Sequence, residues 1–314
     1  MLYLFPTPQA RQGGRVQTDF GILTIPLTVQ NEFFEISPRA DFEEVKTIFE
    51  QRINRDGYFY PGQVSQYSSS LLHPDSEPQL VEGTTRPAHL FQLRPSHQLM
   101  VHSPVAGVGS TEDAAFLVHL TAYLYGTRLQ IEDWQFDGRI PKAFSKHHIL
   151  VSVKKAGEFI SSAYSHWRSL EAENRKRLTN IVFMHTRAPS YDWHWEQFLQ
   201  EYIVPDALYE YARRVGIAGR VGHKNRIPEL CRAFGAVCEP TDPVDEIVRM
   251  RNELFHAALW DDVSPGHSAR AESYYRVFEL RSLNQRLIAA AVRGNVPEYV
   301  AHPWTQWRFA ILFE

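Results

Sequence analysis

The stretch TDPVDEIVRMRNELFHAALW (residues 241–260) predicts an amphipathic helix with charged and polar side chains where burial is expected. Thr241 or Asp242 can cap the helix, Pro243 suits its first turn, and the next acidic residues favour the positive end of its dipole. Helical spacing predicts an apolar stripe made of Val244, Ile247, Val248, Leu254, Phe255 and Ala258. This stripe requires other helices to pack against.

Helical patterns lie on both sides of this stretch. Residues 191–214 form two consecutive apolar stripes, with a kink expected at Pro205 between them. A short helix is expected to begin at Pro228 and end at Gly235, and a long one to run over about residues 269–294. Together these segments predict a bundle of four or five helices.

The N-terminal part has a different pattern of predicted secondary structure. Up to about residue 110 the signals are mostly short extended runs, namely FGILTIPLTV (20–29), EFFEI (32–36) and HLFQLRPSHQLMVH (89–102). TEDAAFLVHLTAYLYG (111–126) and most of residues 150–184 then predict helices. The break at RAPS (187–190) suggests two domains, a β-rich then helical one over 1–185 and a helical bundle over 186–314. The predicted fold class is α+β.

Composition excludes several classes of protein. Apolar residues make up 44% of the 314 residues and charged residues 22%, so a sizeable core is expected. The net charge of −3 excludes a uniformly basic nucleic-acid binder. No apolar run approaches the roughly 20 residues that cross a bilayer, and the N-terminus lacks the pattern of a signal peptide. A cytoplasmic protein with no membrane partner is expected.

Cofactor and metal motifs are absent from the sequence. It contains no P-loop, GxGxxG or GxSxG pattern. Cys231 and Cys238 lack both zinc-site and CxxC spacing, and they are expected to be free thiols. We therefore expect no metal and no cofactor.

Arg251 continues the predicted stripe between Val248 and Phe255. A guanidinium group is costly to bury alone, so it must meet a carboxylate, a subunit interface or an anionic ligand. Asn252 and His256 are four residues apart, hence on one face, and that face adjoins Arg251. A cation, an amide and an imidazole suit RNA cleavage without metal, in which the histidine moves a proton and the arginine stabilises charge on the phosphate.

The segment RNELFH (Arg251 to His256) resembles the motif of the HEPN superfamily, and the helices around it resemble that superfamily's bundle. The resemblance covers about residues 190–295. It implies a metal-independent endoribonuclease that acts as a homodimer, with Arg251, Asn252 and His256 of both copies lining one cleft. Many members of the superfamily are toxins or effectors of anti-phage defence, in which the other domain senses or regulates. The motif allows four to six residues between its arginine and its histidine, so Arg187 with His194 and Arg249 with His256 also fit it.

Two other functions remain open at this stage. In one, His256 packs against the bundle, Arg251 pairs with Glu210 or Asp206, and the chain is a catalytically silent HEPN-like interaction protein. In the other, the unassigned N-terminal part makes the chain a nucleotide-binding regulator. A regulatory partner or ligand is expected there in either case.

A second feature favours RNA as a partner. The segment YARRVGIAGRVGHKNRIP (residues 211–228) has no acidic residue. It contains five cationic residues, Arg213, Arg214, Arg220, Lys224 and Arg226. Beside the motif helix, these cations would follow an RNA backbone, although a solvated loop is the simpler alternative. No sequence-reading motif is visible, so modest sequence preference for unpaired RNA is expected.

Overall fold

The N-terminal part of the chain is built around an antiparallel sheet of five strands. The structure is a computed structural model that describes residues 14–68, 79–107, 110–132, 134–143, 153–238, 242–265 and 271–304. Its strands are β1 Val16–Gly21, β2 Val29–Gln30, β3 Phe34–Pro38, β4 Tyr58–Phe59, β5 Gln63–Val64, β6 Tyr67–Ser68, β7 Gln79–Leu80, β8 Arg86–Pro87, β9 Leu90–Phe91, β10 His97–Val101, β11 Gln130–Ile131, β12 Phe136–Asp137 and β13 Ile140–Pro141. The main sheet has the order β11-β1-β10-β3-β2, and the remaining strands form two-stranded pairs.

Side-chain alternation explains how this sheet packs. Val16 lies opposite Val101, and Leu99 lies opposite Ile36 on the other neighbouring strand. These side chains are buried, whereas the residues between them on β10 are half-buried, as expected for a sheet with one face on the core.

Helices dominate the chain after residue 110. The described helices are α1 Phe42–Glu50, α2 Glu112–Tyr125, α3 Val153–Ser169, α4 Ala172–Arg187, α5 His194–Arg214, α6 Arg226–Phe234, α7 Asp242–Ala257, α8 Ala271–Ala291 and α9 Pro297–Val300. A β-rich region followed by helices confirms the predicted α+β class.

Helix α2 links the sheet to the helices. Every residue from Asp113 to Tyr125 is buried, because α2 packs on β1 and β10 and also on α3 and α4. It ends at Gly126, whose φ of 62° is favourable for a residue without a side chain.

Three local expectations were wrong. Helix α1 lies where the sequence predicted extended runs, although Phe42, Val45 and Phe49 do recur at helical spacing. Of residues 20–29, only the ends join strands. Helix α6 begins at Arg226, so Pro228 is its third residue and not its first. Proline is tolerated there because a backbone N–H at this position has no acceptor within the helix.

The hydrophobic core is continuous across residue 186. One cluster of buried side chains contains Phe20, Leu120 and Trp167 on one side of it, with Leu208 and Leu283 on the other. Helix α5 is central, since it packs on α4, α6 and α8. The division into 1–185 and 186–314 stays a prediction about independent folding.

Candidate nucleic-acid interface

Helix α7 carries the motif residues on its last two turns. Its buried stripe consists of Val244, Ile247 and Met250, with Leu254 partly buried against the core. The expectation that Phe255 and Ala258 continue this stripe was wrong: Phe255 is exposed, and the helix ends at Ala257. Met250 is buried instead, because the face of the helix that carries Met250 is the one that packs on the core. The end of the motif helix therefore faces solvent.

Arg251 is half-buried at the edge of the stripe. Its Nη1 donates a hydrogen bond to Asn252 Oδ1 at 3.1 Å. The guanidinium carbon lies 4.6 Å from the ring centroid of Phe255 and 6.0 Å from that of Tyr202. The buried Nε–H has no hydrogen-bond partner among the described residues. The charge thus lies near two aromatic rings, and no carboxylate of the described residues forms an ion pair with it.

The carboxylates considered as partners for Arg251 have other partners. Asp206 binds Arg226, with 2.9 Å between Oδ1 and Nη1, and Glu210 lies 3.7 Å from Arg213. Asn252 and His256 are both exposed, so His256 does not pack into the bundle. The structure therefore brings Arg251 and Asn252 into contact and places His256 one turn after Asn252 on the surface.

Ion pairs distinguish Arg251 from the two other arginines whose distance to a histidine fits the motif. Arg249 is bound by Glu246 and Glu253 on its own helix, and these hydrogen bonds raise its pKa. Arg187 is bound by Asp137. Among the described residues Arg251 forms no such ion pair, so its guanidinium is the one available to an anionic ligand.

The segment 211–228 is anchored to the bundle next to this helix. The Tyr209 hydroxyl accepts a hydrogen bond from the Val221 N–H at 2.8 Å and donates one to the Gly219 carbonyl at 2.9 Å. Glu229 accepts from the Gly219 N–H. These contacts fix the backbone of the segment at Gly219 and Val221, on either side of Arg220.

The five cations of this segment fall into two groups. Arg213, Arg214 and Arg226 form ion pairs with Glu210, Glu173 and Asp206, respectively. Arg220 and Lys224 are exposed and form no ion pair within the described part of the chain. The second group is the one whose charge is unopposed.

Tyr202 and His223 connect the segment to the motif helix, and sequence analysis missed both. The His223 ring stacks on the Tyr202 ring at 6.0 Å between centroids, and Arg251 lies the same distance from Tyr202. His223 Nε2 is 3.6 Å from Asp206 Oδ2, on the carboxylate that binds Arg226. Burial and Asp206 raise the pKa of Tyr202, so its phenol stays protonated. His223 stands beside Lys224, but only the fold places it near Arg251.

A second polar cluster lies in the core between α4, α5 and α8. The buried carboxylate of Glu201 accepts hydrogen bonds from His185 Nδ1 at 2.8 Å and Asn284 Nδ2 at 2.9 Å, and it also binds Arg281. Burial alone would raise the pKa of Glu201, but His185 and Arg281 outweigh that effect and lower it. Burial, followed by Arg281, lowers the pKa of His185. This cluster joins three helices and is closed to a large ligand.

The described residues hold no metal site, disulfide bond or membrane-spanning helix. In those ranges no group of three or more histidine, cysteine, aspartate or glutamate side chains is arranged to hold a metal ion. Cys231 is buried, Cys238 is half-buried, and neither forms a disulfide bond with another described residue. Within the same ranges, none of the helices has the length and apolar character to cross a membrane.

Comparisons of the chain with protein-family models, curated proteins and solved structures found no match.

Proposed function

We propose that this protein is a metal-independent endoribonuclease of the HEPN type, with Arg251, Asn252 and His256 as its catalytic residues. The observation that carries the proposal is the state of Arg251: its guanidinium binds the exposed amide of Asn252, and within the described residues it forms no ion pair with a carboxylate. A surface cation of this kind suits a phosphate ligand. The exposed His256 follows one turn after Asn252 on the same helix.

The chemistry needs only groups of this kind. The 2′-hydroxyl of one nucleotide attacks its own 3′-phosphate, the bond from phosphorus to the 5′-oxygen of the next nucleotide breaks, and a 2′,3′-cyclic phosphate forms. One imidazole accepts the proton of the 2′-hydroxyl, and a second proton is delivered to the leaving 5′-oxygen. Arg251 stabilises the charge that develops on the phosphate, and Asn252 orients the phosphate. His256 is the proton-transfer group.

A homodimer through the motif helix would complete this site. Two copies of Arg251 and His256 facing each other across a two-fold axis would supply two imidazoles to one cleft. The basic segment would then track the RNA backbone on both sides. A toxin or anti-phage effector regulated through the N-terminal part is the biological role that the HEPN resemblance implies.

Purified protein incubated with single-stranded RNA in EDTA provides the direct test. We expect cleavage that leaves 2′,3′-cyclic phosphate and 5′-hydroxyl ends, with no cleavage where the scissile nucleotide is 2′-deoxy. Arg251→Ala and His256→Ala are each expected to lower the rate on the order of 100-fold or more, and Asn252→Ala less.

Matched controls exist for both substitutions. Arg249→Ala removes an arginine of the same motif spacing that is already bound by carboxylates, and His89→Ala removes an exposed histidine of the N-terminal part. Both are expected to keep the parent rate. An intact parent protein that cleaves no RNA would favour the silent interaction protein. A fully active His256→Ala variant would show that His256 is not the proton-transfer group.

Expression in cells tests the implied role. The parent protein should arrest growth, whereas the His256→Ala protein at equal abundance should not. Equal toxicity of the two would contradict an RNA-cleaving toxin.

A further inference from the structure

Phe255 is the most exposed large hydrophobic side chain in the described ranges, with 56% of its surface open to solvent. It lies inside the motif, directly before His256 and four residues after Arg251. An aromatic ring of this size gains free energy when it is buried, and a ring face beside a cation can accept a planar ligand group. Its position inside the motif makes the ring a candidate contact for a ligand.

The ring is held in place by Arg251. The guanidinium carbon lies 4.6 Å from the ring centroid, close enough for a cation–π interaction. Because more than half of the side chain stays exposed, this contact leaves ring surface open for a second planar group. The cation beside the ring would meet a phosphate attached to that group.

The same arrangement continues towards the basic segment. Arg251 lies between Phe255 and Tyr202, and His223 stacks beyond Tyr202. Arg220 and Lys224 are exposed, form no ion pair within the described ranges, and belong to the segment that carries His223. Contacts to the buried Tyr202 ring therefore link Arg251 of the motif to His223 of the basic segment.

We propose that Phe255 is a stacking platform for an unpaired base of the RNA, next to the phosphate that Arg251 contacts. The inference rests on the proposed ribonuclease function and names the form of its substrate. Every base offers a π-face, so such a platform tolerates any sequence, but it requires a base that is free of its own helix. Single-stranded DNA would bind for the same reason, although it would not be cleaved.

Binding can be measured apart from cleavage in the His256→Ala protein. Fluorescence anisotropy with a labelled single-stranded RNA of 12 nucleotides, and with a hairpin of the same composition, gives the two affinities. We expect Phe255→Ala and Phe255→Leu in that protein to weaken single-strand binding about tenfold or more, and Phe255→Trp to preserve it. Hairpin binding should change little.

A direct signature accompanies the tryptophan variant. Stacking of a base on Trp at position 255 should quench its fluorescence, and an RNA with an abasic site should restore part of it. Trp193→Ala is the matched control because Trp193 is also an exposed aromatic residue, with 50% of its surface open to solvent, and it lies at the start of α5 and not on the motif helix. It is expected to bind RNA as the parent protein does.

Three outcomes would overturn the proposal. If Phe255→Leu binds normally while Phe255→Ala does not, the site needs an apolar volume and not a ring. If Phe255→Ala changes the mass measured by light scattering without changing RNA affinity, the occupant is a second copy of the chain. If the Phe255 variants all bind the single strand like the parent, the ring has no part in binding.

The same data separate this proposal from the proposed function. A parent protein that binds single strands through Phe255 but cuts none supports the platform and contradicts the nuclease. A parent protein that cuts RNA with unchanged affinity in all Phe255 variants supports the nuclease and contradicts the platform.

Discussion

At the scale of single residues, two arginines show how the surroundings of a charge decide its role. Arg281 is buried and bound by Glu201, and its Nη1 also donates to the His185 carbonyl at 2.8 Å. Arg251 is half-buried at the surface and touches an amide and two rings. The first charge holds the core together, and the second is available to a ligand.

This contrast predicts opposite effects on stability. Arg281→Ala leaves a buried carboxylate with fewer partners, so we expect a loss of about 3–5 kcal/mol in the free energy of unfolding. Arg251→Ala should change it by less than about 1 kcal/mol, since no buried carboxylate is left behind. Urea unfolding followed by circular dichroism measures both values. A large loss in Arg251→Ala would indicate a structural ion pair and argue against the catalytic role.

At the scale of elements, the basic segment divides its cations between structure and binding. Arg213 and Arg214 extend from the last turn of α5 to carboxylates, whereas Arg220 and Lys224 extend from the following loop into solvent. A cation that already has a carboxylate neighbour contributes less to the field that a polyanion meets.

The salt dependence of RNA binding should show this division. The double variant Arg220→Ala, Lys224→Ala should reduce the slope of log affinity against log salt by roughly 1.4, at about 0.7 for each lost contact to a single strand. The charge-matched double variant Arg213→Ala, Arg214→Ala should reduce it less. Equal slopes for the two double variants would mean that the ion pairs open when RNA binds.

Gly294 marks a close contact between elements, just beyond the end of α8. A β-carbon there would lie 2.0 Å from Phe159 of α3, whose side chain is buried and cannot move freely. Gly294→Ala is therefore expected to lower the free energy of unfolding by about 1–3 kcal/mol. Gly62→Ala is the control, because nothing lies within 4 Å of a β-carbon at that position. Similar melting temperatures for the two variants would contradict the packing described here.

At the scale of the whole molecule, the sheet, α2 and the bundle share one core. Helix α2 packs on α4, which packs on α5, and Glu201 of α5 binds both His185 of α4 and Arg281 of α8. Removing one side of this interface exposes apolar surface together with buried charges.

A cut at residue 186 tests whether the halves are independent. We expect residues 186–314 alone to lack a cooperative thermal transition, because Glu201 and Arg281 lose His185 and the core loses α2 and α4. The full chain measured in parallel is the control. A fragment that melts cooperatively and shows helical circular dichroism would support two separately folding domains.

Buried histidines should make the whole molecule sensitive to acid. Burial lowers the pKa of His97 to about 4, and burial, followed by Arg128, lowers that of His119 to about 4. Folding then excludes protons that the unfolded chain binds, so stability is complete above about pH 6.5 and is lost as the pH falls towards 4.

The effect of one of these histidines can be isolated. Over that range each buried histidine should cost about 1.4 kcal/mol of unfolding free energy per pH unit. His119→Gln removes one titrating group, so the loss between pH 7 and pH 5 should be smaller than in the parent protein. Urea unfolding at several pH values measures it, with pH 8 as the reference where both side chains are neutral. If the unfolding free energy of the variant depends on pH as it does in the parent protein, then His119 has the same protonation state in the folded and the unfolded chain.

The sequence by itself determined the helices with complete local signals and the residues of the motif. The acidic first turn and terminal glycine of residues 111–126 and the long apolar repeat of α8 depend on neighbours within a few residues, so they can be read from the chain. Arg251, Asn252 and His256 are likewise a local pattern, and their catalytic role remains a proposal.

The tertiary structure alone decided which face of each element is buried and which charges are neutralised. Met250 and not Phe255 completes the stripe of α7 because the position of the surrounding core selects the face. Arg249 and Arg251 have the same side chain, but only the fold places Tyr202 of α5 near Arg251 and stacks His223 on Tyr202. Such contacts join residues far apart in sequence, and no local periodicity specifies them.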